Sequence, residues 1–271
     1  MRKEKMGLKM NRTFMLLICF IFLSAGPLMA FDVKRHNAEL GIGLSHITYE
    51  EPDFNLKEEG IMYGIAGSYT YHNKFMFKLE GNGSLGTVDY SSSSSGEIDN
   101  IRNYLLEARV LLGYDFSLSP SSLLTPYIGF GYRYLNDDPS GKISSFGARG
   151  YERESNYFYS PIGLMAWIKL GQGWVVGPMA EYDYLWKGKQ RSHLGDAITG
   201  FPTIENEQRT GYGLRGSVKF QKMFTGIGLN IEPFIKYWNI KRSENEYFNS
   251  GYFYEPRNNS TEYGLILSAV F

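Results

Sequence analysis

Thiols are almost absent from this chain. Cys19 is its one cysteine, and it lies inside an apolar run from Phe14 to Leu23. The run follows a basic start of Arg2, Lys3, Lys5, Lys9 and Arg12. Small or turn-forming residues come next: Ser24, Ala25, Gly26, Pro27 and Ala30. That three-part layout predicts a secretory signal over 1–30, cleaved after Ala30, with 31–271 as the mature domain. Cys19 leaves with the signal, so the mature chain has no disulfide and no cysteine metal site. After Leu23 no apolar run is long enough for a membrane helix. Charge of one sign is not in excess either: Lys plus Arg is 28 and Asp plus Glu is 28. The balance excludes a nucleic-acid partner and a disordered acidic tail. No composition shift marks a domain boundary, and Ser91–Ser95 is a short low-complexity loop tip.

What the chain does have is Tyr, Phe and Gly, at 21, 18 and 31 residues. Tyr and Phe favour strands and membrane interfaces. Apolar residues recur with a period of two in ten segments. Tyr104, Leu106, Ala108, Val110, Leu112 and Tyr114 oppose Glu107 and Arg109. Ile128, Phe130, Tyr132 and Tyr134 oppose Gly129, Gly131 and Arg133. The last segment carries Tyr263, Leu265, Leu267, Ala269 and Phe271 on one face. Lys, Arg, Asp and Glu fall opposite the apolar row in each strand core. One segment runs from Trp174 through Tyr182 and Tyr184 to Trp186, about 12 residues or about 40 Å at ~3.3 Å each. Tilted, this spans an outer-membrane apolar band, with the four aromatics forming girdles at its edges. Tyr157, Tyr159 and Trp167 fall on the inner parity of the sixth segment, which suggests a bulge near Ser160-Pro161.

Connections alternate. Those at His72-Asn73, Ser117–Ser122, Gly171–Gly173 and Gln221–Thr225 are short. Those at Glu50–Gly60, Tyr90–Asn100, Asn136–Ser155, Gly188–Gln208 and Lys241–Thr261 are long and polar. The expected fold is an all-β antiparallel transmembrane barrel of about ten strands, with short periplasmic turns and long external loops.

Thr125-Pro126-Tyr127-Ile128-Gly129-Phe130-Gly131-Tyr132 and the Phe-terminated last strand resemble small OmpA-like bacterial outer-membrane barrels. The pattern covers the mature chain. The resemblance implies residence in the outer membrane among lipid and lipopolysaccharide. It also implies handling by periplasmic chaperones and by the barrel-assembly machinery, with Tyr263, Leu265, Leu267 and Phe271 as the assembly address. It names no extracellular ligand.

Inward charges make the strongest candidate cluster: Lys78, Glu80, Glu107, Arg109, Arg133, Glu181, Asp183, Arg215, Lys219, Glu232 and Lys236, with Arg209 and Glu262 beside them. Both signs in a narrow lumen predict paired networks and a plugged barrel. Met76, Met179, Phe234 and Trp238 add bulk. No catalytic, cofactor-binding or metal-ligating residue emerges. Gly81–Gly86 matches G-x-G-x-x-G but continues a strand, whereas a dinucleotide site needs the motif to open a helix. Ser45 and His46 are strand neighbours on opposite faces, so they do not form a nucleophile–base pair. The four histidines have no partner at metal spacing. Ten strands is also the omptin count, but no Asp-x-His pair occurs. The expected role is non-enzymatic, in membrane integrity or surface interaction. An outer-membrane enzyme of omptin or lipid-modifying type and a narrow pore are the alternatives.

Overall fold

The computed structural model describes residues 34–248 and 251–271; the signal segment lies outside them. The described residues form ten long antiparallel strands: β1 His36–Glu51, β2 Leu56–Asn73, β3 Phe75–Ser92, β4 Gly96–Tyr114, β5 Ser122–Asp138, β6 Arg153–Gly171, β7 Trp174–His193, β8 Gly211–Met223, β9 Gly228–Ile240 and β10 Asn258–Val270. Each pairs with its sequence neighbour, and β1 pairs with β10 to close the barrel. Leu40 lies opposite Ala269 and Leu44 opposite Leu265 across that seam. Beyond Val270, the Phe271 amide donates to the Ala38 carbonyl at 2.9 Å. A closed wall leaves no unpaired strand edge, which hydrocarbon would penalise by several kcal/mol per unsatisfied group. No helix among the described residues is long and apolar enough to cross a membrane.

The outward rows are exposed and apolar. Leu40, Ile42 and Ile65 are 63%, 65% and 67% accessible, which in water would be an aggregation surface and in lipid is the binding surface. Towards the loop end the chemistry of the two faces exchanges. In β1, Leu40, Ile42 and Leu44 point out, whereas Ile47 and Tyr49 are buried inside. Ile47, Met62, Val88, Ile101, Leu105 and Leu135 form one apolar cluster within the wall. A wall bathed in lipid turns apolar residues outward; the same wall standing in water turns them inward. The exchange therefore marks the edge of the bilayer.

Several sequence expectations change. The connections expected at 50–60 and 90–100 are not long loops. β1 and β2 run on to Glu51 and Leu56 around a three-residue turn of 3-10 helix, and β3 and β4 run on to Ser92 and Gly96. The strands simply continue into water. The bulge expected at Ser160-Pro161 is instead on the partner strand. Tyr159 pairs with Leu185 and Phe158 with Lys187, leaving Trp186 as the extra residue. Trp186 and Lys187 both face outward. Arg209 is not a lumen residue: it lies exposed between the short strand Thr203–Gln208 and β8, bonded to Glu207 at 3.0 Å.

Val110 sits mid-strand in the outward row of β4 and is exposed. Val110→Arg should lower the unfolding free energy by roughly 2–4 kcal/mol if it lies near the midplane. Denaturant titration in lipid vesicles measures this, and a neutral effect would contradict the assignment of that face to lipid.

Candidate functional site

The inner wall is held by two neighbouring ion networks, one around Arg215 and Arg109 and one around Lys219. Arg215 on β8 reaches three carboxylates on two strands. Its Nη1 donates to Glu107 Oε2 at 2.8 Å, its Nε donates to Asp183 Oδ2 at 2.6 Å, and Nε lies 3.1 Å from Glu181. Arg109 donates to Glu181 Oε1 at 2.5 Å and also bonds Glu80, which takes Lys78 Nζ at 2.6 Å. Lys219 donates to Glu39 at 2.6 Å and lies 3.5 Å from Glu232. Lys236 lies 3.5 Å from Glu107 and 3.4 Å from Glu262. Tyr159 and Tyr127 hydroxyls donate to Glu107 and Glu181 at 2.6 and 2.8 Å. The structure thus brings Lys78, Glu80, Glu107, Arg109, Glu181, Asp183, Arg215, Lys219, Glu232 and Lys236 together. Arg133 stands apart: it is buried, with its guanidinium 5.9 Å from the Trp238 ring, and joins no ion pair among the described residues.

Aromatic rings fill what the charges leave. Tyr159 and Trp238 are 0% and 2% accessible and meet edge to face at 5.1 Å. Glycines opposite make the room. A Cβ at Gly131 would sit 2.2 Å from the Tyr159 ring, and one at Gly163 would sit 2.5 Å from Tyr127. The glycine content of the strands is therefore a packing requirement of a crowded interior. Met179 and Lys219 line the small voids that remain, of about 100 and 60 Å3, and Phe234 lines the larger of the two.

Beyond the Trp238 layer, at the loop end, is a larger cavity of about 380 Å3. Arg153 lines it. Nη2 donates to Glu51 Oε1 at 2.5 Å, to Glu255 Oε1 at 2.8 Å and to the Tyr49 hydroxyl at 3.3 Å. Glu58 and Asp137 form a second carboxyl pair on the wall. Burial, then the charge of Asp137, holds the Glu58 carboxyl protonated well above the usual range. Burial pushes Asp137 up to about 6 against the opposing charge of Arg153. Its Oδ1 is buried without a partner. Burial and then the charge of Glu51 push Glu255 up to about 7, against the pull of Arg153. The cavity wall thus stores protons at neutral pH.

Outside the wall, Trp174, Tyr182, Tyr184 and Trp186 are all exposed on the outer face of β7. Tyr182 stacks on Tyr212 at 6.0 Å, and Trp186 donates to Ser160 Oγ at 2.9 Å. Tyr263, Leu265, Leu267 and Phe271 point outward from β10. Ser45 points inward to Glu262 at 3.2 Å while His46 points out and stacks on Tyr263 at 5.3 Å. Gly81–Gly86 lies within β3, where no helix begins. Glu152, Glu154 and His193 meet at the outer rim, a grouping the sequence spacing does not suggest.

The profile of the outer membrane protein beta-barrel domain family matches residues 16–201. The chain belongs to that family. In this structure the barrel continues from there to Val270. No curated protein matches the chain. Among solved structures, the outer membrane protease OmpT of Escherichia coli superposes with a TM-score of 0.63 at 12% identity, covering 90% of this chain and 98% of OmpT. At that identity the likeness is one of fold. The translocator domain of the autotransporter NalP from Neisseria meningitidis gives 0.43 at 10% identity, with 95% of each chain covered. The attachment invasion locus protein Ail of Yersinia pestis gives 0.34 at 8%, covering 88% of this chain and 100% of Ail. The barrel and the family place this protein in the bacterial outer membrane.

The proton-storing acids of the cavity make a signed prediction. Their folded-state affinity for protons exceeds the unfolded one, so their contribution is full below the ordinary carboxylate range. It is lost as pH rises through about 6 for Asp137 and about 7 for Glu255. Amide-exchange protection of the loop-end segments should fall between about pH 5 and about pH 8, and Glu255→Gln should flatten that slope. Protection that rises with pH in the native protein would contradict the assignment.

Proposed function

We infer that this barrel is a closed, non-enzymatic surface protein whose working part is its loop end. Outer-membrane barrels turn their long connections outward, so the cavity walled by Arg153, Glu255 and Asp137 faces the environment. One observation carries the reading. An outer cup of about 380 Å3 stands over a lumen broken into voids of about 100, 60 and 30 Å3. A solute entering the cup meets the Trp238–Tyr159 layer and then the Arg215 network. The barrel serves as an anchor and the cup as a receptor surface, in a role of surface interaction or envelope integrity.

Export by the leader over 1–30, and assembly through the tail ending at Phe271, belong to the same proposal. So does the immersion of the Trp174 and Tyr184–Trp186 girdles in lipid and lipopolysaccharide. Periplasmic chaperones and the barrel-assembly machinery are the handlers this route requires.

A second reading, an outer-membrane hydrolase, is favoured by the Glu58–Asp137 pair. Two carboxyls with shifted proton affinities on a cavity wall match an acid–base arrangement. Turnover of a peptide or lipid substrate at the cell surface, lost in both Glu58→Gln and Asp137→Asn, would replace the binding role with this one.

The closed lumen is tested in planar bilayers. The purified protein should give no steady conductance. Arg215→Met should lower stability by about 3–5 kcal/mol, the scale for stranding a buried charge network, and should open no steady conductance. Reproducible single-channel steps whose ion preference followed Arg109 and Arg215 would overturn the closed barrel in favour of a pore.

A further inference from the structure

Glu152, Glu154 and His193 stand together on the outer face of the rim. One ligand atom from each lies within 4.8 Å of the other two. We propose that these three side chains form a divalent-cation site, with zinc as its best-fitting occupant, that clamps the bases of two long loops.

The local fold brings them together. Glu152 and His193 face each other where β6 and β7 begin to part: the His193 amide donates to the Glu152 carbonyl at 2.9 Å. Glu154 lies two residues along the same face of β6, diagonal to His193. Its carboxylate is 2.8 Å from His193 Nε2. Such diagonal neighbours lie within reach of long side chains.

Charge accounting supports a cation. Arg191 is the direct cross-strand neighbour of Glu154, yet it turns the other way and donates to Glu205 at 2.7 Å. Glu152 and Glu154 therefore have no Lys or Arg partner among the described residues. Asp196 adds a third acid, its Oδ2 accepting the Glu152 amide at 3.1 Å.

The ligands are also oriented. Thr203 Oγ1 lies 3.0 Å from His193 Nδ1. A hydrogen bond there from Nδ1–H leaves Nε2 with its lone pair towards the carboxylates, as a metal-bound histidine requires. Asn136 donates to Glu152 Oε1 at 2.7 Å. The Tyr134 hydroxyl bonds Glu154. Each ligand thus has an outer partner on a neighbouring strand.

One nitrogen and two carboxylate oxygens, with no sulfur, suit a borderline cation. Two carboxylates with one histidine and an open fourth position is a zinc-type donor set. At metal–ligand distances of about 2.0–2.2 Å the ligand atoms stand roughly 3.3 Å apart, so small rotamer shifts within the present 4.8 Å suffice. The segments 139–152 and 194–202 both leave the barrel at this point, so a bound ion ties their bases to each other.

The test uses the whole folded protein in detergent, stripped with chelator and titrated calorimetrically with zinc chloride. One zinc per chain is expected. His193→Ala should weaken binding at least tenfold, since loss of even an orienting partner costs 10–100-fold. His46→Ala, on the same outer surface, should leave binding unchanged. Heat-dependent gel mobility shows that each variant keeps its barrel. Zinc should also slow protease cleavage within 139–152 and 194–202 in the native protein. Absence of saturable binding, equal affinity in His193→Ala, or unchanged cleavage would overturn the clamp.

Discussion

Hydrocarbon admits no unpaired charge, and nearly everything else in this molecule follows from that constraint. Ten strands must carry enough polar residues to keep the chain soluble until it inserts. A membrane wall has one face where those residues can go. Charges from β3, β4, β7, β8 and β9 consequently converge on a space too narrow for water to screen them. Arg215 answers by reaching Glu107, Asp183 and Glu181 at once. Buried ion pairs of this kind contribute little net stability relative to an apolar core, but breaking one is costly. The network therefore acts more as a condition of closure than as a source of stability. The residual volume is taken by Trp238, Tyr159 and Tyr127, which fit because glycines stand opposite two of them.

The same constraint, lifted, explains the loop end. Past the outward apolar rows the wall stands in water on both sides. Its apolar residues turn inward around Ile101 and Leu105, and its outer face becomes polar, with Lys189 and Arg191 paired to Glu205. An enclosed cup can form here because the strands continue beyond the membrane. Burial raises the proton affinity of Glu58, Asp137 and Glu255 there, against the opposing charge of Arg153. The barrel and the cup are thus one wall obeying two solvents.

Much of the barrel was legible from alternation. The opposition of Val110 to Arg109, or of Tyr182 to Asp183, assigns faces without knowledge of any partner. The ion network was legible as a set of inward residues, though not as pairs, since Glu107 and Arg215 are 108 residues apart. Three things were not legible. The apolar row changes parity between Leu44 and Ile47, so continued strands at Glu51 and Ser92 read as polar loops. The extra residue at Trp186 shows only in the pairing with β6; parity alone pointed to Ser160-Pro161. The groupings of Arg153 with Glu255, and of His193 with Glu152 and Glu154, arise from loop ends meeting in space. Linear spacing holds no trace of them.

The central claim is a water-accessible cup above a sealed lumen, and cysteine accessibility on intact cells tests it most directly. With Cys19, the one cysteine of the sequence, replaced by Ser, single cysteines can be read without background. Ser192→Cys lines the cup, and Ser217→Cys lies below the Trp238 layer beside Glu232. The account expects a small impermeant thiol reagent to label position 192 and to spare position 217. Equal labelling of both would contradict the seal, and labelling of neither would contradict the open cup.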